Sequence, residues 1–258
     1  MDFGIGFSET ILIVFLVLIF FGSNQVPTIL KEIGRFTALL RARFNEFYSQ
    51  IQIPDKPAES FIPTEVIKKK ELRKTYNDLR KALSPEDVQH KSGLVFTRLT
   101  EHVLWRSANA VMIYLSLPYE VQTDAMINLA FSQQKRVMVP YVDETKNRIN
   151  ISEIKNIHDL QPGHFKVREP KKEDIKRFFK SDLELVICPG VAFDRNCSRL
   201  GFGKGYYDMF LKELRGDVPM VGLSFDLQIT PERIPFSYDD IPMDFIFTES
   251  QTLDRVGG

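Results

Sequence analysis

Four short apolar runs decide what the greater part of this chain can become: residues 110–115 (AVMIYL), 137–139 before Pro140, 185–188 and 220–223. Each is short and rich in strand-forming residues, the pattern of a strand buried on both faces. Helical periodicity separates several of them, around residues 125–134 and 207–214. Strands that alternate with helices imply a mainly parallel sheet covered on both faces. The expectation is an α/β fold in a Rossmann-like, three-layer arrangement. Upstream, Leu72, Tyr76, Leu79 and Leu83 mark a helix. Ser84-Pro85-Glu86-Asp87 then restarts one, because serine caps, proline suits the first position and the acids favour the positive helix end.

The first fifty residues obey different rules. Residues 11–21 (ILIVFLVLIFF) carry no polar side-chain atom. Eleven helical residues rise about 16 Å, against a hydrocarbon core of about 30 Å. A signal peptide is disfavoured, since residues 1–10 contain Asp2 and Glu9 and no lysine or arginine. Extended back to Ile5, the run reaches the lower limit of a span. After Pro27 the period changes: Ile29, Leu30, Ile33, Phe36, Leu40, Phe44, Phe47 and Ile51 line one face of a helix, with Lys31, Arg35, Arg41 and Arg43 mostly off it. A short span followed by a basic amphipathic helix is an L-shaped membrane element.

Asp2 to Glu9, the apolar run, Phe21-Gly22 and Pro27 together resemble the A/B-type small subunits of the twin-arginine protein translocase. The resemblance covers residues 1–50 and implies an outside N-terminus and a single pass through the cell inner membrane. The basic residues before position 50 agree by the positive-inside rule, which places the remainder of the chain in the cytoplasm. It also implies contact with the lipid bilayer through residues 5–50, and with other translocase subunits. Residues 52–64 hold Pro54, Pro57 and Pro63 and read as an extended linker. The expected organisation is an anchor over 1–51, a linker over 52–64, an enzyme domain over 65–250 and a tail over 251–258.

The densest chemical signal is residues 199–208 (RLGFGKGYYD), which come after a strand and a loop and open a helix. Three glycines at alternate positions leave backbone N–H groups uncovered for an anion, and Arg199 and Lys204 add full charges. The spacing is neither GxxxxGK followed by Ser or Thr nor GxGxxG. Asp208 is suited to a magnesium ion beside such phosphates. Glu120 stands at the C-terminal end of a strand, where ligands of open α/β sheets bind. Asp239, Asp240 and Asp244 form a second acidic cluster between and beyond prolines 235 and 242, and Lys68, Lys69, Lys70 and Arg73 a cationic one.

Other chemistries are excluded. Lysine plus arginine and aspartate plus glutamate each total 34, so bulk charge does not hold nucleic acid. Cys188 and Cys197 fit neither a disulfide scaffold nor a zinc site, and the four histidines make no HExxH. Residues 222–226 lack the second glycine of a nucleophile elbow.

These residues carry a second resemblance. Lys69-Lys70-Glu71-Leu72-Arg73, Tyr114-Leu115-Ser116 with Glu120, residues 189–194 (PGVAFD) and the 199–208 run are similar to the 5-formyltetrahydrofolate cyclo-ligase family. So are Gly222-Leu223 with Gln228, and Pro235 with the later Asp240 and Asp244. The resemblance covers residues 66–250. It implies ATP contacts at Lys69, Lys70, Glu71, Leu72, Arg73, Arg199, Leu200, Gly201, Phe202, Gly203, Lys204, Gly205, Tyr206 and Tyr207. Folate contacts fall at Leu115, Glu120, Phe202, Gly203, Lys204, Gly205 and Tyr206, and magnesium ligands at Asp208 and Asp240. Lys204, Arg199 and Tyr206 take the catalytic places. Asp239 stands where many relatives carry histidine, which bears on metal affinity. Phe202 stands where some carry a basic residue, which suggests stacking on folate. The implied activity is ATP- and Mg2+-dependent conversion of 5-formyltetrahydrofolate to 5,10-methenyltetrahydrofolate. The rivals are a translocase component whose soluble domain is a scaffold, and a bifunctional fusion of both.

Overall fold

In the computed structural model the chain divides into two units between Phe61 and Ile62. The structure describes residues 64–255 except 144, 147, 165, 166 and 177. The span, the amphipathic helix and the proline-bearing part of the linker lie outside the described residues. Among the described residues no helix is long and apolar enough to cross a membrane.

Helix α1 (Thr64–Lys81) is followed by α2 (Pro85–Thr100), and the expected restart signal operates at the junction. Ser84 is extended and its hydroxyl accepts from the Asp87 N–H at 3.0 Å, with Pro85 opening the helix. Val88, Ser92, Val95 and Leu99 are buried, one face of a helix. Two further helices, α3 (Val103–Ser107) and α4 (Asp124–Ser132), precede the last, α5 (Tyr206–Leu211). In α3, Trp105 is fully buried, and its indole N–H is satisfied by Gln133 Oε1 at 3.0 Å.

The expected apolar runs become β1 (Ala110–Ile113), β2 (Arg136–Asp143), β6 (Leu185–Cys188) and β9 (Met220–Leu223). Between and around them lie β3 (Arg148–Ile154), β4 (Leu160–Pro162), β5 (Arg168–Pro170), β7 (Ala192–Asp194), β8 (Arg199–Leu200), β10 (Ile229–Thr230), β11 (Phe245–Phe247) and β12 (Thr252–Asp254). Seven strands form the main sheet in the order β12-β11-β9-β6-β1-β2-β3. All neighbours pair in parallel except the two edges, β12 on β11 and β3 on β2, which are antiparallel. A smaller sheet has the order β10-β7-β8, and β4 pairs with β5.

The period of two along each strand builds two cores. Val111, Ile113, Leu185 and Ile187 face one core with Val95, Leu99, Met126 and Ile127 from α2 and α4. Ala110, Met112, Val186 and Cys188 face the other with Phe210 and Leu211 from α5. The three-layer expectation needs one correction there. Among the described residues, the second face is covered by one short helix, α5, together with Phe193 of the small sheet, not by helices alone.

The chain runs outward from β1 to β2 and β3, then returns to β6 on the opposite side of β1. Successive connections therefore diverge at β1 and β6. In an open sheet this reversal leaves a crevice beyond the carboxyl ends of those strands.

Candidate functional site

The loop after β1 is folded tightly on itself. Tyr114 donates its hydroxyl to Val121 O at 2.7 Å, and Thr123 Oγ1 donates to Tyr114 O at 2.8 Å. Within it the Leu117 N–H donates to Glu120 Oε2 at 2.9 Å. Glu120 is 5% exposed. Burial pushes its carboxyl above the usual range, opposed by the Arg80 charge and the Leu117 N–H. Arg80 comes from α1, and its Nη1 donates to Glu120 Oε1 at 3.3 Å.

The glycine-rich run starts as a strand and ends as a helix. Phe193 pairs with Arg199 and Ala192 with Leu200, so β8 is fixed against β7. Asp194 organises the turn between them by accepting from the Asn196 and Ser198 N–H groups, each at 2.9 Å. Gly203 (φ 98°) and Gly205 (φ 68°) lie in the left-handed region, which other residues enter at a cost. Gly205 caps α5. Arg73 Nε donates to Gly201 O at 2.8 Å and so ties the loop to α1.

Two ion pairs flank this loop. Arg199 Nη2 donates to Asp208 Oδ1 at 2.6 Å, and the Ile241 N–H reaches the same oxygen at 3.3 Å. Lys69 Nζ donates to Asp240 Oδ2 at 2.5 Å, which also accepts from the backbone and hydroxyl of Ser237 at 2.7 Å each. Burial acts to raise the Asp240 carboxyl, but the Lys69 and Ser237 hydrogen bonds outweigh it and hold it below the usual range. Arg73 senses both aspartates, although burial, the larger effect, lowers its own pKa.

These groups surround a cavity of about 480 Å³ at the reversal of strand order. Lys69, Arg73, Leu115, Glu120, Asp240 and every residue from Arg199 to Asp208 line it. Lys70, Glu71 and Leu72, expected beside ATP, do not. Their neighbours Lys69 and Arg73 take the inward face of α1, while Lys70 and Glu71 are exposed and Leu72 packs against the core of Tyr76, Val191, Ala192, Leu200 and Ile234. The acidic cluster is dispersed as well. Only Asp240 turns into the cavity; Asp239 is 82% exposed and pairs with Lys212, and Asp244 accepts from the Met220 N–H at 2.8 Å. Phe202 lies 48% exposed on the rim, its ring 5.5 Å from the Arg80 guanidinium.

One wall has no signal in the sequence. Pro140, Tyr141, Val142 and Ile149 from β2 and β3, and His164, Val167 and Glu169 around β4 and β5, close the cavity on one side. Glu169 supports it by accepting from the Val142 N–H at 3.2 Å and pairing with His164 Nδ1 at 2.9 Å. The apolar run stops before Pro140, but the strand does not. It continues to Asp143 because β3 pairs with it that far, while β1 pairs only as far as Met138, leaving beyond it a free edge where proline is tolerated.

The donor set fits a magnesium ion. Asp208 and Asp240 offer hard carboxylate oxygens to one cavity, and among the described residues no cluster of three or more His, Cys, Asp or Glu could hold a metal. An ion here would therefore use two carboxylates plus ligand oxygens, as magnesium does at a nucleotide.

Residues 65–249 match the model of the 5-formyltetrahydrofolate cyclo-ligase family, and residues 3–50 that of the mttA/Hcf106 family. A probable 5-formyltetrahydrofolate cyclo-ligase of Schizosaccharomyces pombe is 32% identical over 201 residues, covering 74% of this chain and 94% of the relative. The 5-formyltetrahydrofolate cyclo-ligase of Escherichia coli K12 is 30% identical over 181 residues, covering 68% of this chain and 97% of the relative. The solved 5,10-methenyltetrahydrofolate synthetase of Aquifex aeolicus superposes with a TM-score of 0.65 at 32% identity, covering 74% of this chain and 94% of that one.

Proposed function

The chain belongs to the 5-formyltetrahydrofolate cyclo-ligase family over most of its length, and we propose that it converts 5-formyltetrahydrofolate to 5,10-methenyltetrahydrofolate with ATP, releasing ADP and phosphate. The observation that carries the reading is the grouping of charge along the cavity lining. Lys69, Arg73 and Arg199 cluster with Asp208 and Asp240, Lys204 lines the same cavity, and Glu120 is faced by Tyr114, Tyr119 and Tyr207. The first group suits a triphosphate and the second a flat ring with N–H donors.

The formyl oxygen of the substrate is a poor leaving group. Transfer of the γ-phosphoryl group to it makes it a good one; N10 then attacks the activated carbon, and phosphate departs as the ring closes. Arg199 and Lys204 neutralise charge on the phosphoryl group during transfer, the stage at which such stabilisation accelerates reaction. Tyr206 presents its side chain from the start of α5 into the same space. Glu120 accepts hydrogen bonds from the pterin and fixes its orientation. A magnesium ion held by Asp208 and Asp240 would supply further charge neutralisation at the phosphates. The test is formation of methenyltetrahydrofolate, followed by its absorbance, with full-length protein. Product is expected only with both ATP and magnesium, and its absence with both present overturns the reading.

A second observation, the match over residues 3–50, supports a membrane-associated form of this enzyme. In that reading residues 1–51 cross the inner membrane once, with the N-terminus outside, and residues 52–64 join them to a cytoplasmic catalytic domain. Contact of the first segment with twin-arginine translocase subunits is compatible with catalysis by the second.

A further inference from the structure

Arg80 is fully buried, yet its surroundings make it a poor device for stability. Its Nη1 is shared between Glu120 Oε1 at 3.3 Å and Gly190 O at 3.2 Å, its Nη2 donates to Asn77 Oδ1 at 2.5 Å, and its Nε is buried without a partner. Removing a guanidinium from water costs several kcal/mol, and an ion pair of this length recovers it incompletely. What the placement does achieve is local. The guanidinium lies 5.2 Å from the Tyr119 ring and 5.5 Å from the Phe202 ring. One cation therefore touches the turn that carries Glu120, the loop after β6 and the glycine-rich loop.

Glu120 needs such a partner. The groups facing it are Arg80 from α1, Tyr114 from the end of β1, Tyr119 from its own turn and Tyr207 from α5. Burial pushes the Tyr114 and Tyr207 phenols well above their usual range and raises that of Tyr119, so all three are neutral at physiological pH. Among the described residues, Arg80 is the charge that opposes the burial of Glu120. With Arg80 on one carboxylate oxygen and the Leu117 N–H on the other, each oxygen keeps a lone pair for a ligand in the cavity.

We propose that Arg80 is a positioning residue for the folate site: it holds the Glu120 carboxylate charged and in one orientation, and through Phe202 joins this anchor to the glycine-rich loop. The proposal rests on the cyclo-ligase reading of the cavity. The ligand class it serves is a reduced folate whose pyrimidinone ring offers neighbouring N–H donors to a carboxylate.

The test is equilibrium binding of 5-formyltetrahydrofolate and of ATP to full-length R80M, R80K and E120Q across pH, with melting temperature alongside. R80M keeps the volume and loses the charge. It should bind folate about tenfold or more weakly near pH 6.5 and recover at alkaline pH as Glu120 ionises without help, while R80K lacks that pH dependence. ATP affinity should change by less than about threefold, and R80M/E120Q should bind folate no worse than E120Q, because the two residues act as one unit. A pH-independent loss in R80M, or equal losses of folate and ATP, overturns the proposal. Parent protein that binds no folate would instead sink the underlying reading. Should R80M not fold, R80Q, which retains a donor for Gly190 O, carries the same measurements. Failure of both to fold makes Arg80 a structural residue and overturns the positioning role.

Discussion

Lys69 Nζ and Asp240 Oδ2 are 2.5 Å apart, although 171 positions separate the two residues in sequence. Arg199 and Asp208 form a second such pair across the glycine-rich loop. In each, a cation proposed to meet phosphate is held by a carboxylate proposed to meet magnesium. Under the proposed function, ligand binding at these pairs is an exchange of partners, in which metal would take the carboxylate as phosphate takes the cation.

Neutralising one carboxylate should separate the two halves of that exchange. D240N frees Lys69, so binding of ATP without metal should tighten by about threefold, the scale of a partly exposed ion pair. Turnover with magnesium should fall on the order of 100-fold. Metal-free ATP affinity that stays at the parent value would rule the exchange out.

The same residue shapes acid stability. Because the folded-state pKa of Asp240 lies below its usual value, its contribution is present above about pH 4, where an unfolded aspartate is ionised. It is lost as pH falls through the lower folded-state value. The difference in melting temperature between parent and D240N should hold steady from neutral pH down to about pH 5 and close below about pH 4. A difference that persists undiminished at acid pH would show that the hydrogen bonds, and not the charge, are responsible.

The two left-handed glycines should not be equivalent. A Cβ on Gly203 would lie 3.4 Å from the Arg73 guanidinium, whereas one on Gly205 meets nothing within 4 Å. Both positions carry the left-handed cost of about 1–2 kcal/mol, but only at Gly203 does an added side chain meet the arginine that ties the loop to α1. G203V should lose ATP binding while retaining more folate binding, and G205N should be the milder change. K204A should bind ATP nearly normally and lose turnover by about 100-fold. Calorimetric affinities and melting temperatures decide; parent-like ATP binding and use in G203V and K204A would reduce the 199–208 run to a turn.

Gly222 in β9 has a packing role that is separate from chemistry. A Cβ there would lie 2.6 Å from Cε1 of Phe193, a fully buried ring. G222A should therefore destabilise by about 1–3 kcal/mol, and F193L should partly rescue it. An unchanged melting temperature in G222A would show that the ring can yield.

The N-terminal segment makes a fractionation prediction. Full-length protein should sediment with membranes and resist carbonate extraction, with residues 55–258 open to protease from the cytoplasmic side. Recovery wholly in the soluble fraction would remove the anchor from the proposal.

The sheet core was legible because burial on both faces writes itself as uninterrupted apolar runs, as at β1 and β6. The edge strands were not. Residues 148–154 (RINISEI) mix polar and apolar side chains, and β12 (Thr252–Asp254) has three residues and one half-buried side chain. On the site, the glycine spacing and charges of residues 199–208 announced an anion-binding loop. Helical phase was harder to read, since Lys69 and Lys70 are alike in sequence and opposite in facing. Arg80 was invisible for a related reason: an arginine beside Lys81 near a helix end looks solvated, and only the tertiary fold supplies Glu120 and Gly190 as partners. The wall around Tyr141 and Glu169 depends on how two hairpins meet, which no local pattern encodes.

The separation of Lys69 from Asp240 also sets an order of events during synthesis. At about 5–20 residues per second, roughly 10 to 30 seconds pass between translation of the two. Through that interval helix α1 carries its cations with no acidic loop to receive them, and the pairing of Lys69 with Asp240 cannot form. A nascent chain stopped shortly before Asp240 has its central strands and its glycine-rich loop but only one of the two carboxylates. Under the proposed function, metal-dependent use of the nucleotide is thus a property of the finished domain, and it distinguishes complete molecules from truncated ones.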